Sequence, residues 1–406
     1  MMRPSSQRHT TACNPALSLA ERLDRDLLAQ LEQRRVQQLL RVRPQLEGPQ
    51  GVSAVIDGRQ YLTFCSNDYL ALANHPAIIA AVQRGVRSYG VGSGASHLVS
   101  GHSHPHRALE QELANFTGRE AAILFSTGYM ANLGVVTALA GRNTELLQDR
   151  LNHASLIDAG LLSGARLRRY RHADIEHLQQ LLEHRRATRS FIVTDGLFSM
   201  DGDFAPLPQL AALAQRCGCP LMVDDAHGLG VIGTGGRGTL EHFNLGPDEV
   251  PILVGTLGKA FGTFGAFVAG SHALIELLVQ KARSYIYTTA LPPAFAEATR
   301  ASLRVMREEA WRRQHLHQLV AHFRDGAKRL GFPTRDSTSP IQPLVLGTAQ
   351  AALRVSAELR TRGLFVTAIR PPTVPKGSAR LRITLSAGHR FEDVDRLLDN
   401  LSDILS

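Results

Sequence analysis

The chain has 406 residues, 44% of them hydrophobic and 20% charged, which is enough apolar sequence for a large core spread over two lobes. No apolar run approaches the ~20 residues of a membrane-spanning helix, so a membrane protein is not expected. The net charge of +9 is distributed without a tract of interleaved basic and aromatic residues. This favours an anionic small substrate or carrier over nucleic acid as the partner.

The cysteines and the N-terminus suggest where the protein resides. Four cysteines show neither a disulfide framework nor the paired spacing of a zinc site, which is typical of free thiols in a reducing cytoplasm. The first 20 residues contain no acidic side chain and only two arginines, Arg3 and Arg8. Because they form no amphipathic run, we expect a disordered extension rather than a transit peptide, and a cytoplasmic protein.

The first predicted element is a helix. Ser18 and Glu21 have the spacing of a capping box, and leucines follow at helical intervals. We expect this helix to continue through Arg41 and Arg43 and to stop at Pro44, which cannot continue it.

An Asp57-Gly58 dipeptide between two apolar runs then predicts a β-hairpin. We assign residues 1–64 to an N-terminal extension, a helix and a small β unit that lies outside the main sheet.

From residue 65 to 290, short apolar runs alternate with helical patterns, which predicts an α/β fold with a mostly parallel sheet covered by helices. The expected strands are 121–125, 146–151, 191–194, 221–223, 252–254 and 266–269. After Leu291-Pro292-Pro293 we expect a smaller C-terminal α+β domain, residues 291–406. Its predicted elements are a long helical stretch 294–330, strands 341–345, 365–369 and 380–385, and a helix 350–362.

Lys259 is the most informative residue of the large domain. It follows the apolar run 251–254 and stands between small residues, so its amine can reach a carbonyl group and form a Schiff base. Asp224 follows a second apolar run, and an aspartate beside such a lysine is the expected partner of a protonated pyridine nitrogen. The two residues together predict a pyridoxal 5'-phosphate (PLP) enzyme.

Other predicted strands also end in polar residues. Gly128 and Tyr129 begin a helix directly after strand 121–125, where free backbone N–H groups suit a phosphate, although a simply capped helix explains the same pattern. Because ligands bind where parallel strands end, we expect four further strand ends to converge on one site. They carry His153, Ser199, Asp224 with His227, and Thr256 with Lys259.

Several other motifs carry no function of their own. Two glycine patterns near G-x-G-x-x-G, at 233–238 and 90–95, lack the strand, helix and acidic residue of a dinucleotide site, so we expect tight loops. His102, His104 and His106 alternate around Pro105 and are expected to point in different directions. Since no cysteine or carboxylate completes a ligand set, we assign no metal.

These residues resemble a known family, the α-oxoamine synthases, which are PLP enzymes of the aspartate aminotransferase fold type. The resemblance covers nearly the whole chain from about residue 20. The matching runs are 66–70, 99–101, 149–155, 198–203, 223–228, 256–259 and 369–375. The last of them, Ile-Arg-Pro-Pro-Thr-Val-Pro, points to the branch that condenses L-alanine with a pimeloyl thioester in biotin synthesis.

The resemblance implies roles for the cofactor site. Lys259 would hold PLP as a Schiff base, and Lys259, His153 and Asp224 would be the catalytic residues. The pyridine nitrogen would pair with Asp224, while His153 would stack on the ring. The phenolic oxygen would be contacted by His227 and Ser199. The cofactor and its phosphate would be contacted by Gly128, Tyr129 and Thr256.

The resemblance also implies partners. Thr288 and Thr289 would reach the phosphate from a second subunit, so we expect a homodimer with shared active sites. The implied substrate contacts are Arg41, Arg370, Thr373 and His153. The acyl donor is left open between pimeloyl-CoA and a pimeloyl carrier protein.

The sequence departs from the family pattern in two places and leaves rival functions open. Residues 94–97, Gly-Ala-Ser-His, replace a more glycine-rich stretch, and Asp195 stands where relatives often carry glutamate. Both departures concern the acyl channel and not the predicted chemistry. The alternatives are another α-oxoamine synthase that uses glycine or serine with a different acyl-CoA, a PLP aminotransferase, or a basic nucleic-acid-binding protein.

Overall fold

The structure is a computed structural model that describes residues 17–333 and 337–406. Most of the expected N-terminal extension, with Cys13, therefore lies outside the described residues. The predicted capping box is confirmed, because Ser18 Oγ accepts the Glu21 N–H at the start of α1 (Leu19–Val36). The predicted continuation to Arg43 was wrong. Gln38 takes a left-handed conformation, with φ of 58°, that turns the chain out of the helix.

The predicted hairpin is confirmed in a small sheet near the N-terminus. Asp57 and Gly58 both have positive φ, 50° and 74°, as a two-residue hairpin turn requires. The sheet has the order β1-β2-β3-β12, and its strands are β1 (Leu46–Glu47), β2 (Ser53–Ile56), β3 (Arg59–Thr63) and β12 (Leu364–Phe365). The parallel pairing of β12 with β3 joins the N-terminal β unit to the last third of the chain.

The central sheet has seven strands in the order β4-β10-β9-β8-β7-β5-β6. They are β4 (Ala121–Phe125), β5 (Thr144–Asp149), β6 (Arg166–Tyr170), β7 (Arg189–Asp195), β8 (Leu221–Asp224), β9 (Ile252–Thr256) and β10 (Ala266–Gly270). Strands β5 to β9 run parallel, and β10 is antiparallel to both of its neighbours. The predicted mostly parallel sheet is confirmed. Strand β6 was not predicted, because this edge strand is largely polar.

Helices cover both faces of this sheet. They are α2 (Pro76–Tyr89), α3 (His104–Thr117), α4 (Gly128–Leu139), α5 (Ala154–Leu162), α6 (Ile175–Glu183), α7 (Leu207–Cys217), α8 (Thr239–His242), α9 (His272–Lys281) and α10 (Arg283–Ile286), with a π-helical turn at His97–Gly101. Phe267 and Val268 of β10 are both fully buried but belong to different core clusters, because successive side chains point to opposite faces. A sheet buried on both faces explains its near-continuous apolar strands.

The C-terminal part forms a second, smaller sheet with the order β11-β14-β13. Its elements are α11 (Pro293–Glu308), α12 (Trp311–Arg329), β11 (Ile341–Gly347), α13 (Ala349–Thr361), β13 (Thr367–Ile369), β14 (Ala379–Thr384) and α14 (Phe391–Leu405). Helix α14 was not predicted. The expected long helical stretch 294–330 forms two helices, since the chain breaks at Glu309-Ala310. The expected strand 365–369 divides between two sheets.

The C-terminal part packs closely against the large domain. A Cβ added to Gly85 of α2 would lie 2.8 Å from the Cα of Ala294 in α11, so only glycine permits this backbone approach. The α/β fold class is confirmed, while the division at residues 64 and 290 stays a prediction. Among the described residues, no helix is both long and apolar enough to cross a membrane.

Candidate active site

The strand-end site, as we call it, forms where β5, β7, β8 and β9 end side by side. These neighbouring strands stop at Asp149, Asp195, Asp224 and Thr256. The loops that follow carry His153, Ser199, His227 and Lys259, so the predicted convergence of four strand ends is confirmed.

Lys259 is tied into a buried chain of hydrogen bonds. Its Nζ lies 2.9 Å from Nε2 of His227, and Nδ1 of His227 lies 2.7 Å from the hydroxyl of Tyr69. The Tyr69 hydroxyl donates to Oδ1 of Asn67 at 3.1 Å, and that oxygen also accepts from Nη1 of Arg382 at 3.1 Å. We assign the Nδ1–H tautomer to His227, because it satisfies every member of this chain.

Asp224 begins a second series of hydrogen bonds. Its Oδ1 accepts the Ala226 N–H at 3.0 Å, and its Oδ2 accepts from Nδ2 of Asn132 at 2.6 Å. The same amide donates to Oγ of Ser155 at 2.8 Å, which lies 2.7 Å from Nδ1 of His153. A line of polar side chains therefore connects the Asp224 carboxylate to the His153 ring and fixes both.

Burial and charge shift the pKa values of this site. Burial lowers the pKa of Lys259 to about 8, with the nearby Arg382 acting in the same direction and the Asp224 carboxylate opposing it. Burial, followed by the charges of Lys259 and Arg382, holds the pKa of His227 well below its usual range. Near neutral pH, Lys259 thus has a much larger fraction of reactive neutral amine than an exposed lysine, and His227 is neutral.

Asp195 closes the site on the side of His153. Its Oδ2 accepts the backbone N–H of His153 at 2.7 Å. Burial raises the pKa of Asp195 well above its usual range, and the Asp224 charge adds to that effect. Burial also lowers the pKa of His153, against the opposing charge of Asp224. Asp195, noted in the sequence only as a departure from the family, is therefore a structural neighbour of the predicted ring-stacking histidine.

The N-terminus of α4 faces the end of β9. Thr127 caps the helix by accepting the Met130 N–H at 3.2 Å, and a Cβ added to Gly128 would meet nothing nearer than Thr256 Cβ at 4.0 Å. This leaves room beside the free N–H groups of the first helical turn, which is the environment that binds phosphate. The adjacent Tyr129 donates its hydroxyl to the carboxylate of Asp158.

Ser199 is positioned by the C-terminal part of the chain. Nε of Arg382 in β14 donates to the Ser199 carbonyl at 2.6 Å, while the other nitrogens of the same guanidinium reach Asn67 and Tyr69. Arg382 thereby connects the loop after β7 to the chain of groups that ends at Lys259.

A second cluster contains two arginines, Arg41 and Arg370, which we call the arginine pair. Thr373 lies beside them. Nη2 of Arg41 donates to the Thr373 hydroxyl at 3.2 Å. The guanidinium of Arg370 donates to the backbone carbonyls of Gln38 and Leu40. Burial and the neighbouring charge of Arg41 lower the pKa of Arg370. The structure thus brings three of the predicted substrate residues together, while the fourth, His153, lies in the strand-end site. Within the described ranges, no side-chain hydrogen bond connects the two groups.

Thr288 and Thr289 also lie outside the hydrogen-bonded strand-end site. The hydroxyl of Thr288 donates to the Ser284 carbonyl at 2.6 Å, and Thr289 pairs with Ser96 in an isolated antiparallel bridge. Thr289 is exposed. Their predicted role toward a second subunit stays a prediction.

The histidines near α3 correct one expectation. His102 and His106 do not diverge, because one nitrogen from each lies with a nitrogen of His97 inside a span of 4.8 Å. Nδ1 of His97 lies 3.0 Å from Nδ1 of His102, and Nε2 of His106 donates to the Leu291 carbonyl at 2.7 Å. The rings therefore already have protein partners, and we assign no ion to them.

The sequence analysis missed Asn67, Tyr69, Asn132, Ser155 and Arg382 as site residues. One pattern could have revealed Arg382. Strand β14 reads Ala-Arg-Leu-Arg-Ile-Thr, so Arg380 and Arg382 alternate with apolar residues and share one face of a buried strand. Buried arginines need partners, which marks that face as polar and important.

The strand-end site fits PLP. It offers an amine of lowered pKa for the carbonyl, a buried carboxylate one strand away for a pyridinium, and a helix N-terminus with open space for a phosphate. Asn132 Oδ1 is buried without a partner among the described residues, which leaves a polar atom beside Asp224 to face a ligand.

Comparison with known proteins agrees with this chemistry. Residues 59–401 match the family Aminotransferase class I and II. An 8-amino-7-oxononanoate synthase of Nitrosococcus oceani is 61% identical over 376 residues, covering 93% of this chain and 100% of that protein. Another, from Methylococcus capsulatus, is 64% identical over 88% of this chain and 92% of its own length. The chain belongs to the 8-amino-7-oxononanoate synthase family.

Solved structures show the same fold. A serine palmitoyltransferase from S. paucimobilis with a bound PLP–myriocin aldimine superposes with a TM-score of 0.89 at 30% identity, covering 96% of this chain and 98% of that one. An 8-amino-7-oxononanoate synthase from Francisella tularensis has a TM-score of 0.75 at 33% identity, covering 85% and 98%. The resemblance drawn from the motifs is confirmed.

Proposed function

We propose that this chain is a PLP-dependent acyltransferase of biotin synthesis that acts in the cytoplasm. It condenses L-alanine with pimeloyl-CoA or a pimeloyl carrier protein and releases 8-amino-7-oxononanoate, the free thiol and CO2. One observation carries the proposal. The buried Lys259, His227 and Asp224 constellation lies at the ends of the parallel strands, in a chain 61% identical to a named 8-amino-7-oxononanoate synthase along that protein's whole length.

The chain's own residues would hold the cofactor. The Lys259 amine would bind its carbonyl carbon, and the buried Asp224 carboxylate would favour the protonated pyridine nitrogen. His227 and Ser199 would serve the phenolic oxygen, and His153 would serve the ring. Gly128, Tyr129 and Thr256, at and near the start of α4, would bind the phosphate. When bound, PLP supplies an electron sink that stabilises negative charge at the α-carbon of the amino acid.

Lys259 also moves protons. With a pKa of about 8, its amine can remove the proton from the α-carbon of alanine near neutral pH. That carbon bonds to the thioester carbon of the pimeloyl group as the carbon–sulfur bond breaks, and the thiolate leaves and takes a proton from solvent. The original alanine carboxylate then departs as CO2, and the Lys259 ammonium returns a proton to the same carbon.

The arginine pair supplies charge for the two carboxylates of the substrates. Arg370 binds the carboxylate of alanine, and Arg41 with Thr373 meets the far carboxylate of the pimeloyl chain, while His153 contacts the amino acid. Gln38 and Leu40 offer Arg370 only neutral carbonyl oxygens, so its charge is left for an anion. A planar guanidinium binds a carboxylate through two parallel hydrogen bonds, which favours these substrates.

We also propose that the enzyme is a homodimer whose active sites are shared. Thr289 is exposed and Thr288 half-buried on the segment after α10, so a second subunit can approach them. Their hydroxyls would then reach the phosphate held by α4 of that subunit. The net charge of +9 suits either anionic CoA or an acidic carrier protein as the acyl donor.

A substrate panel tests the function. Alanine, glycine and serine are each combined with pimeloyl-, acetyl-, succinyl- and palmitoyl-CoA, and thiol release and CO2 are measured together. We expect alanine with pimeloyl-CoA to have the highest kcat/KM, and alanine alone to change the visible absorbance of the bound cofactor. If serine with palmitoyl-CoA or glycine with a short acyl-CoA is preferred, the substrate proposal is wrong and only the family assignment stands.

A further inference from the structure

We propose that His172 is a positioning residue, which binds the loop after β5 and the loop after β7 together so that His153 and Ser199 are held against the cofactor. This inference rests on the proposed function. It concerns a side chain that the sequence analysis gave no role and that lies after β6, the strand that analysis missed.

On one side, His172 fixes the turn that leads to His153. Its Nδ1 donates to Oδ1 of Asp149 at 2.9 Å, at the end of β5. The same carboxylate accepts the backbone N–H groups of Leu151 and Ala173, each at 2.8 Å. Asp149 is 1% exposed, so this is a buried junction between the ends of β5 and β6. Four residues further along the chain is His153.

On the other side, His172 holds the loop that carries Ser199. Its Nε2 donates to Oδ2 of Asp203 at 2.7 Å, and its ring meets the ring of Phe198 edge-on at 4.5 Å. Phe198 and Asp203 are the two ends of a tight loop, because the Phe198 N–H donates to the Asp203 carbonyl at 2.9 Å. Ser199 lies inside that loop.

The loop that carries Ser199 accepts hydrogen bonds from both parts of the molecule. From the C-terminal sheet, Nη1 of Arg380 donates to Asp201 at 2.6 Å, and Nε of Arg382 donates to the Ser199 carbonyl at 2.6 Å. From the central sheet, the hydrogen bond from His172 reaches the Asp203 end of the loop. Without it, that end loses its connection to the ends of β5 and β6, and only the start of the loop is still held there, by the Asp195–His153 bond and the buried Phe198 ring.

The two aspartates also keep the ring charged. Burial disfavours the imidazolium, but the hydrogen bonds and charges of Asp149 and Asp203 outweigh it and raise the pKa of His172 to about 10. Oδ1 of Asp203 is buried and has no hydrogen-bond partner in the described structure, while Oδ2 of this partly exposed side chain is paired with the His172 charge. A neutral side chain of similar size supplies no such charge.

The test compares His172→Gln with a closely matched control, His322→Gln. His322 also donates to an aspartate, at 2.6 Å to Asp395, and also meets a phenylalanine edge-on, with Phe391 at 5.2 Å, but it belongs to α12. Both variants are purified with PLP. Their visible spectra at fixed pH are recorded, because the spectrum of bound PLP reports the hydrogen bonds at its phenolic oxygen, and kcat and KM are measured separately.

We expect His172→Gln to alter the PLP spectrum and to lower kcat by on the order of 10–100-fold, since a misplaced catalytic group costs that much. The KM for alanine should change less than kcat, because Arg370, the proposed partner of the alanine carboxylate, is untouched. His322→Gln should leave the spectrum and both constants unchanged.

If His172→Gln does not fold, Asp203→Asn is the second variant to test. This variant keeps the shape of the loop and removes only the charge that faces Nε2 of His172. It should change the spectrum in the same direction. If the folded His172 or Asp203 variants keep the wild-type spectrum and kcat and merely unfold at a lower temperature, the positioning role is overturned. A wild-type enzyme that binds PLP but rejects alanine with pimeloyl-CoA contradicts the substrate proposal instead, and the spectral comparison still tests His172.

Discussion

The strand-end site and the arginine pair are built in opposite ways. Lys259, His227 and Asp224 are held by side chains that come from strands and helices far apart in the sequence, and His227 and Asp224 are buried. Arg41 and Arg370 instead meet at a more exposed junction, where the main partners of Arg370 are backbone carbonyls of residues 38 and 40. The groups proposed for the chemistry are therefore preorganised by burial, whereas those proposed for substrate choice lie where contacts can be exchanged.

The strongest way to break the strand-end site is Lys259→Ala. It removes the amine that we propose binds the cofactor covalently and transfers protons, so we expect turnover to fall by at least about 10⁴-fold. The visible band of the bound cofactor should be lost while the fold persists, because the residues around Lys259 are small. Lys328→Ala, at an exposed position in the last turn of α12, is the control. Retained absorbance and activity would show that Lys259 does not bind PLP.

Asp224→Asn tests the second series of hydrogen bonds in the same site, which begins at the Asp224 carboxylate. The amide keeps the shape of the carboxylate but not the charge that stabilises a pyridinium, so we expect PLP to bind and kcat to fall by about 10²–10³-fold. The absorbance change on adding alanine should be weak. If that change remains near normal, Asp224 serves only to accept the Ala226 N–H and Asn132.

Arg370→Lys tests the arginine pair. Lysine keeps the charge but loses the planar fork that binds a carboxylate through two bonds. We expect the KM for alanine to rise by about 10–100-fold, as for the loss of a charge-assisted hydrogen bond. The affinity for PLP, measured by equilibrium titration, should stay the same. If alanine binding and PLP affinity weakened equally, the arginine pair and the strand-end site would form a single unit.

The smallest effect is a shift in pH dependence. Because the pKa of Lys259 is about 8 rather than 10.5, the rate at which the apoenzyme captures PLP should rise with pH and level off above about 8. In Asp224→Asn this midpoint should move lower, since the carboxylate that favours the ammonium form is gone. A midpoint near 10 in stopped-flow measurements would show that the amine is solvated and not activated by burial.

The sequence determined the chemical residues and the strand ends that carry them. Lys259, Asp224, His153 and Ser199 each follow an apolar run, and parallel strands must end at the same edge, so their convergence follows from local patterns alone. The capping box at Ser18 and the Asp57-Gly58 turn were equally readable, because both depend on neighbouring residues.

Only the tertiary structure decided what depends on contacts between distant segments. Strand β6 is polar because it is an edge strand, and the helix expected to reach Arg43 ends at Val36 because the chain turns at Gln38. Arg382 lies 123 positions from Lys259 and acts through Tyr69, and His172 joins Asp149 to Asp203. No periodicity encodes these pairings, since each side chain finds its partner only after the sheets have packed.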